Sequence, residues 1–131
     1  MIHGIGSDIV EVARIERAYA RHGDHFVRRL LMSEEAALFS GHKRPVRFLA
    51  MRFAAKEAIV KALGTGFAHG LWLRDTGFVP NPWGRPEIIW SVRGAARRRG
   101  LGAGDGHLTL TDEAGLVVAM VVLERAAAPR P

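Results

Sequence analysis

Apolar positions recur along the chain with two periods, and the switches between them mark the predicted elements. From Ile2 to Val10 the spacing is that of a strand, interrupted by Gly4 and Gly6. An extended backbone puts Gly4, Gly6 and Asp8 on one face and Ile5, Ser7 and Ile9 on the other. Two glycines on one face let another backbone come close. Asp8 either ends this strand and starts a helix, or projects from a face with little bulk beside it. From Glu11 to about His22 the period becomes helical, with Val12, Ile15 and Tyr19 on one side and Arg14, Arg17 and Arg21 on the other. A turn at Gly23 and Asp24 follows, then apolar anchors from Phe26 to Met32 amid Arg28 and Arg29. Ser33, Glu34 and Glu35 open a short helix that closes near Gly41.

The stretch from Arg47 to Leu63 is the most helical, free of proline and glycine, with Val46, Leu49, Ala50, Phe53 and Val60 along its apolar stripe. Glu57 falls inside that stripe one turn after Phe53, flanked by Lys56 and Lys61. A carboxylate facing a core needs a partner, since unpaired burial is costly. That partner is Lys61 at i,i+4 or a metal ion. Gly64-Thr65-Gly66 ends the helix. Strands are then expected over Leu71–Val79 and Glu87–Val92, separated by the turn-rich link Pro80 to Pro86. A basic helix over Gly94–Arg99 precedes a final strand pair, His107–Asp112 and Leu116–Leu123, joined through Glu113-Ala114-Gly115. One domain over 1–125 with a frayed tail, Ala126 to Pro131, is the expected organisation.

Composition narrows the chemistry. With 131 residues, 48% of them hydrophobic, the chain suits one core. Without cysteine it has no disulfide, zinc-thiolate site or thiol nucleophile, and a reducing compartment is the default. No basic leader precedes an apolar run and no window approaches a membrane span, so a cytoplasmic protein with no membrane partner is expected. The formal charge of +6 gathers anions: nucleic acid, phosphorylated metabolites or an acidic protein. The arginines are spread among acids rather than set in a stripe with exposed aromatics, which argues against a nucleic-acid binder. The row Arg14, Arg17, Arg21 is either a solvated face or a dock for an acidic partner.

Asp8 and Glu57 are the best candidates for a hard-cation site. Magnesium takes oxygen ligands and keeps several waters, so two side chains plus substrate phosphates suffice. Gly64-Thr65-Gly66 is too short for a phosphate loop and follows a helix instead of preceding one, and no H-E-x-x-H pair occurs. The six histidines are scattered without metal-ligand spacing. His107 is the one worth keeping, because it begins the strand leading to Asp112 and Glu113.

Four segments resemble the holo-[acyl-carrier-protein] synthase family of 4'-phosphopantetheinyl transferases, in the family's order: G-I-G-S-D-I-V-E-V-A-R-I at 4–15, F-L-A-M-R-F-A-A-K-E-A-I-V-K-A-L-G-T-G at 48–66, W-G-R-P at 83–86 and H-L-T-L-T-D-E at 107–113. The resemblance implies an α+β fold, with a long central helix packed on a curved antiparallel sheet, and a homotrimer with active sites between subunits. It implies magnesium-dependent transfer of the phosphopantetheine arm from coenzyme A to a serine of apo-acyl carrier protein. Asp8 and Glu57 would hold the metal, and Lys61 would stand at the pyrophosphate and the incoming serine. Arg52 and Lys56, the Gly84-Arg85-Pro86 turn, His107 and Thr109 would receive the nucleotide, its 3'-phosphate or the start of the arm. Arg14, Arg17, Arg21 and Arg28 would meet the carrier's acidic helix. The proton acceptor stays open between Glu57 and a water at the metal. Many relatives carry S-H-D or S-H-E where this chain has Thr111-Asp112-Glu113, which leaves Asp112 to orient a neighbouring subunit's residue or the metal water. A polyketide or peptidyl carrier, a structural trimer without catalysis and a nucleic-acid binder are the alternatives.

Overall fold

In a computed structural model of the chain, described over residues 1–128, the organising element is helix α4, Pro45–Leu63, the fourth of five. Proline stands in its first turn, where no intrahelical N–H is required. Gly64 closes it in the left-handed region at φ 90°, its N–H reaching back to the Val60 and Lys61 carbonyls. Leu49, Ala50, Ala54, Ala55, Ala58, Ile59 and Val60 are fully buried, so the helix is sheathed on most of its circumference.

Its main support is an antiparallel sheet of β1 (Ile2–Glu11), β5 (Leu116–Arg125) and β4 (Ala103–Glu113), in the order β1-β5-β4. Val10, Val117, Ala119, Val121, Leu123 and Leu108 face the helix, and the alternation of β5 sends Val118, Met120 and Val122 to the other face. A second sheet pairs β2 (Thr76–Pro80) with β3 (Pro86–Trp90), so the expected antiparallel sheet is divided in two among the described residues. Helices α1 (Val12–His22), α2 (Asp24–Leu30) and α3 (Ser33–Phe39) lead from β1 to α4, and α5 (Val92–Gly100) links β3 to β4. The α5 start is capped by Ser91, whose hydroxyl accepts from Gly94 N at 2.9 Å.

Three elements differ from the pattern reading. Leu71–Val79 does not form one strand: Asp75 accepts from Trp72 N at 2.9 Å and from the Ser91 hydroxyl at 2.8 Å, which fixes a 3-10 turn over Leu73–Asp75 and delays β2 to Thr76. Strand β4 starts at Ala103 rather than His107, because Gly104 and Gly106 carry it through a register shift against β5. The anchors around Phe26 belong to a helix, α2. Of the expected frayed tail, residues 129–131 lie outside the described residues, and Ala126 N still bonds Gly102 O at 2.9 Å.

The two glycines of β1 set the distance between strand and helix. A Cβ on Gly4 would strike the Ala62 carbonyl, and one on Gly6 the Ala58 carbonyl. Strand backbone therefore lies directly on helix backbone, and Asp8, two residues on along the same face, is delivered beside α4. Replacing Gly6 with alanine forces these apart. It is expected to cost about 1–3 kcal/mol of stability, read as an earlier urea-unfolding midpoint, whereas Ser7→Ala on the opposite face should leave the midpoint near that of the parent protein.

Candidate active site

Asp8 and Glu57 come together where β1 crosses α4. Glu57 shares one side of the helix with Phe53 and Lys61 at i±4 spacing, and this side is only half-buried. Glu57 thus stands at the edge of the core rather than within its apolar stripe. Lys61 does not pair with it: the Lys61 ammonium donates to Asp8 Oδ1 at 3.1 Å and to the Ser7 carbonyl at 3.0 Å. Among the described residues Glu57 makes no ion pair and no side-chain hydrogen bond. Burial, and then the Asp8 charge, push its carboxyl above the ordinary range, opposed by Lys61 and Arg14. Burial and the adjacent Asp8 charge both oppose ionisation of Glu57, and two neighbouring carboxylates with one lysine beside them suit a hard divalent cation that would relieve the repulsion. No group of three or more metal-ligating side chains occurs among the described residues, and these two carboxylates are the residues that would hold such an ion.

Arg14, Arg17, Arg21 and Arg28 are all exposed, the first three on α1 and the last on α2. The Arg14 guanidinium lies 5.7 Å from the Phe53 ring centroid, one turn before Glu57. The basic row therefore begins at the carboxylates and runs away from them along the surface.

The expected nucleotide residues separate into three groups. Arg52, Gly84, Pro86 and Thr109 line one cavity of about 410 Å3, together with Phe48, Met51 and Phe78. Arg85, Pro86 and His107 line a neighbouring one of about 240 Å3. The loop between them is built by Asn81, whose side-chain carbonyl accepts from Trp83 N and Arg85 N at 2.9 and 3.0 Å, with Gly84 at φ 84°. Lys56 belongs to neither cavity. It is fully buried, and its ammonium donates to Glu35 Oε1 at 2.6 Å, Thr76 O at 2.6 Å and Leu73 O at 3.0 Å. All three of its donors are used internally, which corrects the expectation that it meets the nucleotide directly.

Register decides how these groups face. On the inner side of the sheet Asp8, Ala119 and Leu110 form one row, whereas His107 and Thr109 alternate to the outer side, in rows with Val122 and Ile5 and with Met120 and Ser7. Strand β1 is one edge and β4 the other. One chain therefore holds Asp8, Glu57 and Lys61 on one side, with His107 and Thr109 on the opposite face two strand spacings away, about 10 Å.

Two features escaped the pattern reading. Asp112 faces inward and receives a two-pronged bond from Arg47, Nε and Nη2 each at 2.8 Å, which ties the end of β4 to the start of α4. That bond holds the Asp112 carboxyl below its ordinary value. The acid in the position where many relatives carry histidine is thus engaged within its own chain. Glu35, read as a helix-start acid, is fully buried and holds Lys56. Its short helix carries no stripe long enough to reveal that its third residue points inward.

A sequence profile of the 4'-phosphopantetheinyl transferase superfamily matches residues 4–113. The chain is 46% identical over 123 residues to the holo-[acyl-carrier-protein] synthase of Halorhodospira halophila, covering 94% of this chain and 98% of that one. The crystal structure of the holo-[acyl-carrier-protein] synthase from Neisseria meningitidis superposes with a TM-score of 0.91 at 38% identity, covering 95% of this chain and 100% of that chain. The Helicobacter pylori synthase in complex with coenzyme A superposes with a TM-score of 0.80 at 30% identity, over 92% and 99%. With the Asp8–Glu57–Lys61 cluster at the strand and helix that the profile spans, the chain belongs to the 4'-phosphopantetheinyl transferase superfamily, as a holo-[acyl-carrier-protein] synthase.

Proposed function

We propose that this protein transfers 4'-phosphopantetheine from coenzyme A to a serine of apo-acyl carrier protein, releasing adenosine 3',5'-bisphosphate, with magnesium held by Asp8 and Glu57. The observation that carries the reading is the pair of carboxylates with Lys61 at the crossing of β1 and α4, opening onto the arginine row. The serine oxygen forms a bond to the β-phosphorus, the bridging P–O bond to the 5'-phosphate breaks, and the bond's electrons leave on the bisphosphate. Bound magnesium would supply charge neutralisation at the diphosphate. Lys61 holds Asp8 in place and presents an ammonium on the same side. Glu57 lies beside Arg14, next to a carrier docked on Arg14, Arg17, Arg21 and Arg28, and it or a water at the metal would take the serine proton. A fatty acid synthesis carrier is the substrate favoured here, in a cytoplasmic setting. No helix among the described residues is long and apolar enough to cross a membrane.

The active assembly is a homotrimer with sites between subunits. The outer sheet face leaves Ile5 and Ile9 about 60% exposed and Met120 50% exposed, a row of apolar side chains on an open sheet that calls for cover. His107 and Thr109 share that face. A second copy laid against it brings its own Asp8 and Glu57 towards these residues, which one chain cannot do by itself.

Incubated with apo-acyl carrier protein, coenzyme A and magnesium, the protein is expected to add about 340 Da to the carrier by intact mass. Chelator or Glu57→Ala should slow this at least about a hundredfold, and an unmodified carrier with a folded enzyme would sink the reading. Two inactive variants, Glu57→Ala and Arg85→Ala/His107→Ala, should regain activity when co-refolded if sites are shared, and stay inactive if each chain works alone. The raised Glu57 carboxyl sets a pH dependence. The folded, metal-free protein binds this proton more tightly than the unfolded chain, so its contribution to stability is present at acid pH and is lost as pH rises through the raised value. Glu57→Gln should accordingly raise the melting temperature of the metal-free protein at neutral pH and not at pH values below the carboxylate range, and the dependence of activity on magnesium should steepen as pH falls.

A further inference from the structure

Glu35 and Lys56 are the two fully buried charges among the described residues, and Arg52 beside them is 6% exposed. The Glu35 carboxylate is held from several directions. It accepts from Lys56 Nζ at 2.6 Å, Met32 N at 3.0 Å and Phe78 N at 3.2 Å, with Arg52 Nε at 3.4 Å. Gly77 is glycine because a Cβ there would collide with that carboxylate. The Arg52 guanidinium is gripped between two rings, 3.9 Å from the Phe48 centroid and 3.8 Å from that of Phe78.

One carboxylate against an ammonium and a guanidinium leaves one positive charge in excess inside the protein. Such a charge is costly to bury without an anion. Burial pushes the Arg52 guanidinium down to about 10, still charged at neutral pH, and pushes the Lys56 ammonium down too, with the Glu35 carboxylate opposing the shift in both. Arg52 spends Nε on Phe78 O, at 3.3 Å, and on Glu35. Its terminal amino groups make no hydrogen bond to the described residues, and the residue lines the 410 Å3 cavity with Gly84, Pro86 and Thr109.

We propose that Glu35 is a positioning residue for the nucleotide end of coenzyme A: it anchors Arg52 through Nε, turns the terminal amino groups to the cavity, and leaves there one uncompensated positive charge for a substrate phosphate. The inference rests on the transferase reading above. Lys56 serves the same purpose by neutralising Glu35, so that the guanidinium charge remains free for the ligand. A structural ion pair would need one cation, and here two cations share one acid, the second at a cavity wall.

Steady-state kinetics with apo-acyl carrier protein test this in the parent enzyme, in Glu35→Gln/Lys56→Met, which removes both charges and keeps the net charge, and in Glu35→Asp, which draws the carboxylate back by one methylene. The expected result is a KM for coenzyme A raised about tenfold or more, with kcat within about twofold and the KM for the carrier unchanged. A folded variant with the parent KM for coenzyme A overturns the proposal, as does a loss confined to kcat. If no substitution at position 35 gives a folded protein, Glu35 is a structural residue and the proposal falls. A parent enzyme that modifies no carrier would defeat the transferase reading itself, whereas an active parent beside unaffected variants defeats this inference alone.

Discussion

The contact on which the site depends is the backbone-to-backbone approach of β1 and α4. Gly4 and Gly6 lie against the Ala62 and Ala58 carbonyls with no room for a Cβ, and α4 answers with alanine at 54, 55, 58 and 62, all buried. Small residues on both partners draw strand and helix to a separation that larger side chains would forbid. Asp8 is the next residue along the glycine face, and Glu57 stands among the alanines of the helix, between Ala55 and Ala58. Were the two elements farther apart, the carboxylates would not feel one another and Lys61 could not bridge to Asp8 and the Ser7 carbonyl. The glycines act on chemistry only through this distance.

A second constraint works on another side of the same helix. Lys56 and Glu57 are sequence neighbours with opposite surroundings, because adjacent helical residues point about 100° apart. Lys56 turns into the core to Glu35, and Glu57 turns out to β1. A single rigid helix therefore carries Glu57 on the side facing β1 and Arg52 at the wall of the 410 Å3 cavity. Arg47, in its first turn, clamps Asp112 at the end of β4, so the helix is referenced to the far strand of the sheet as well. Positioning to well within an ångström is what phosphoryl transfer asks of a protein that forms no covalent bond to the substrate.

Much of this was legible from the residue pattern, and the failures are informative. The helix around Glu57, the strand carrying Asp8 and the final hairpin are long periodic segments whose apolar spacing alone defines them. The 3-10 turn before β2 was not legible, since it depends on Asp75 bonding Ser91, sixteen residues away. Helical periodicity puts Glu57 within the apolar stripe, paired with either Lys61 or a metal. Helical spacing made Lys61 available, yet only the tertiary approach of β1 offers it Asp8 instead. Lys56, which the family resemblance puts at the nucleotide, is turned inward by the buried Glu35, a partner twenty-one residues away. Long-range partners of single charged residues leave no period in the sequence.

The faces of the sheet carry the remaining step. A strand sends alternate side chains to opposite sides, so Asp8 and the His107–Thr109 pair can share a site within one chain only if the sheet is bent back on itself. It is an open three-stranded sheet with β1 and β4 at its two edges. The inner face is filled by α4, and the outer face carries Ile5, Ile9 and Met120 beside the two polar residues. In the proposed trimer, covering those apolar side chains and completing the ligand site would be the same event. A chain with one small core gains buried area from a neighbour, and in the trimer proposed above the contact that stabilises the assembly would also supply the half of the site that the single chain holds on the wrong side.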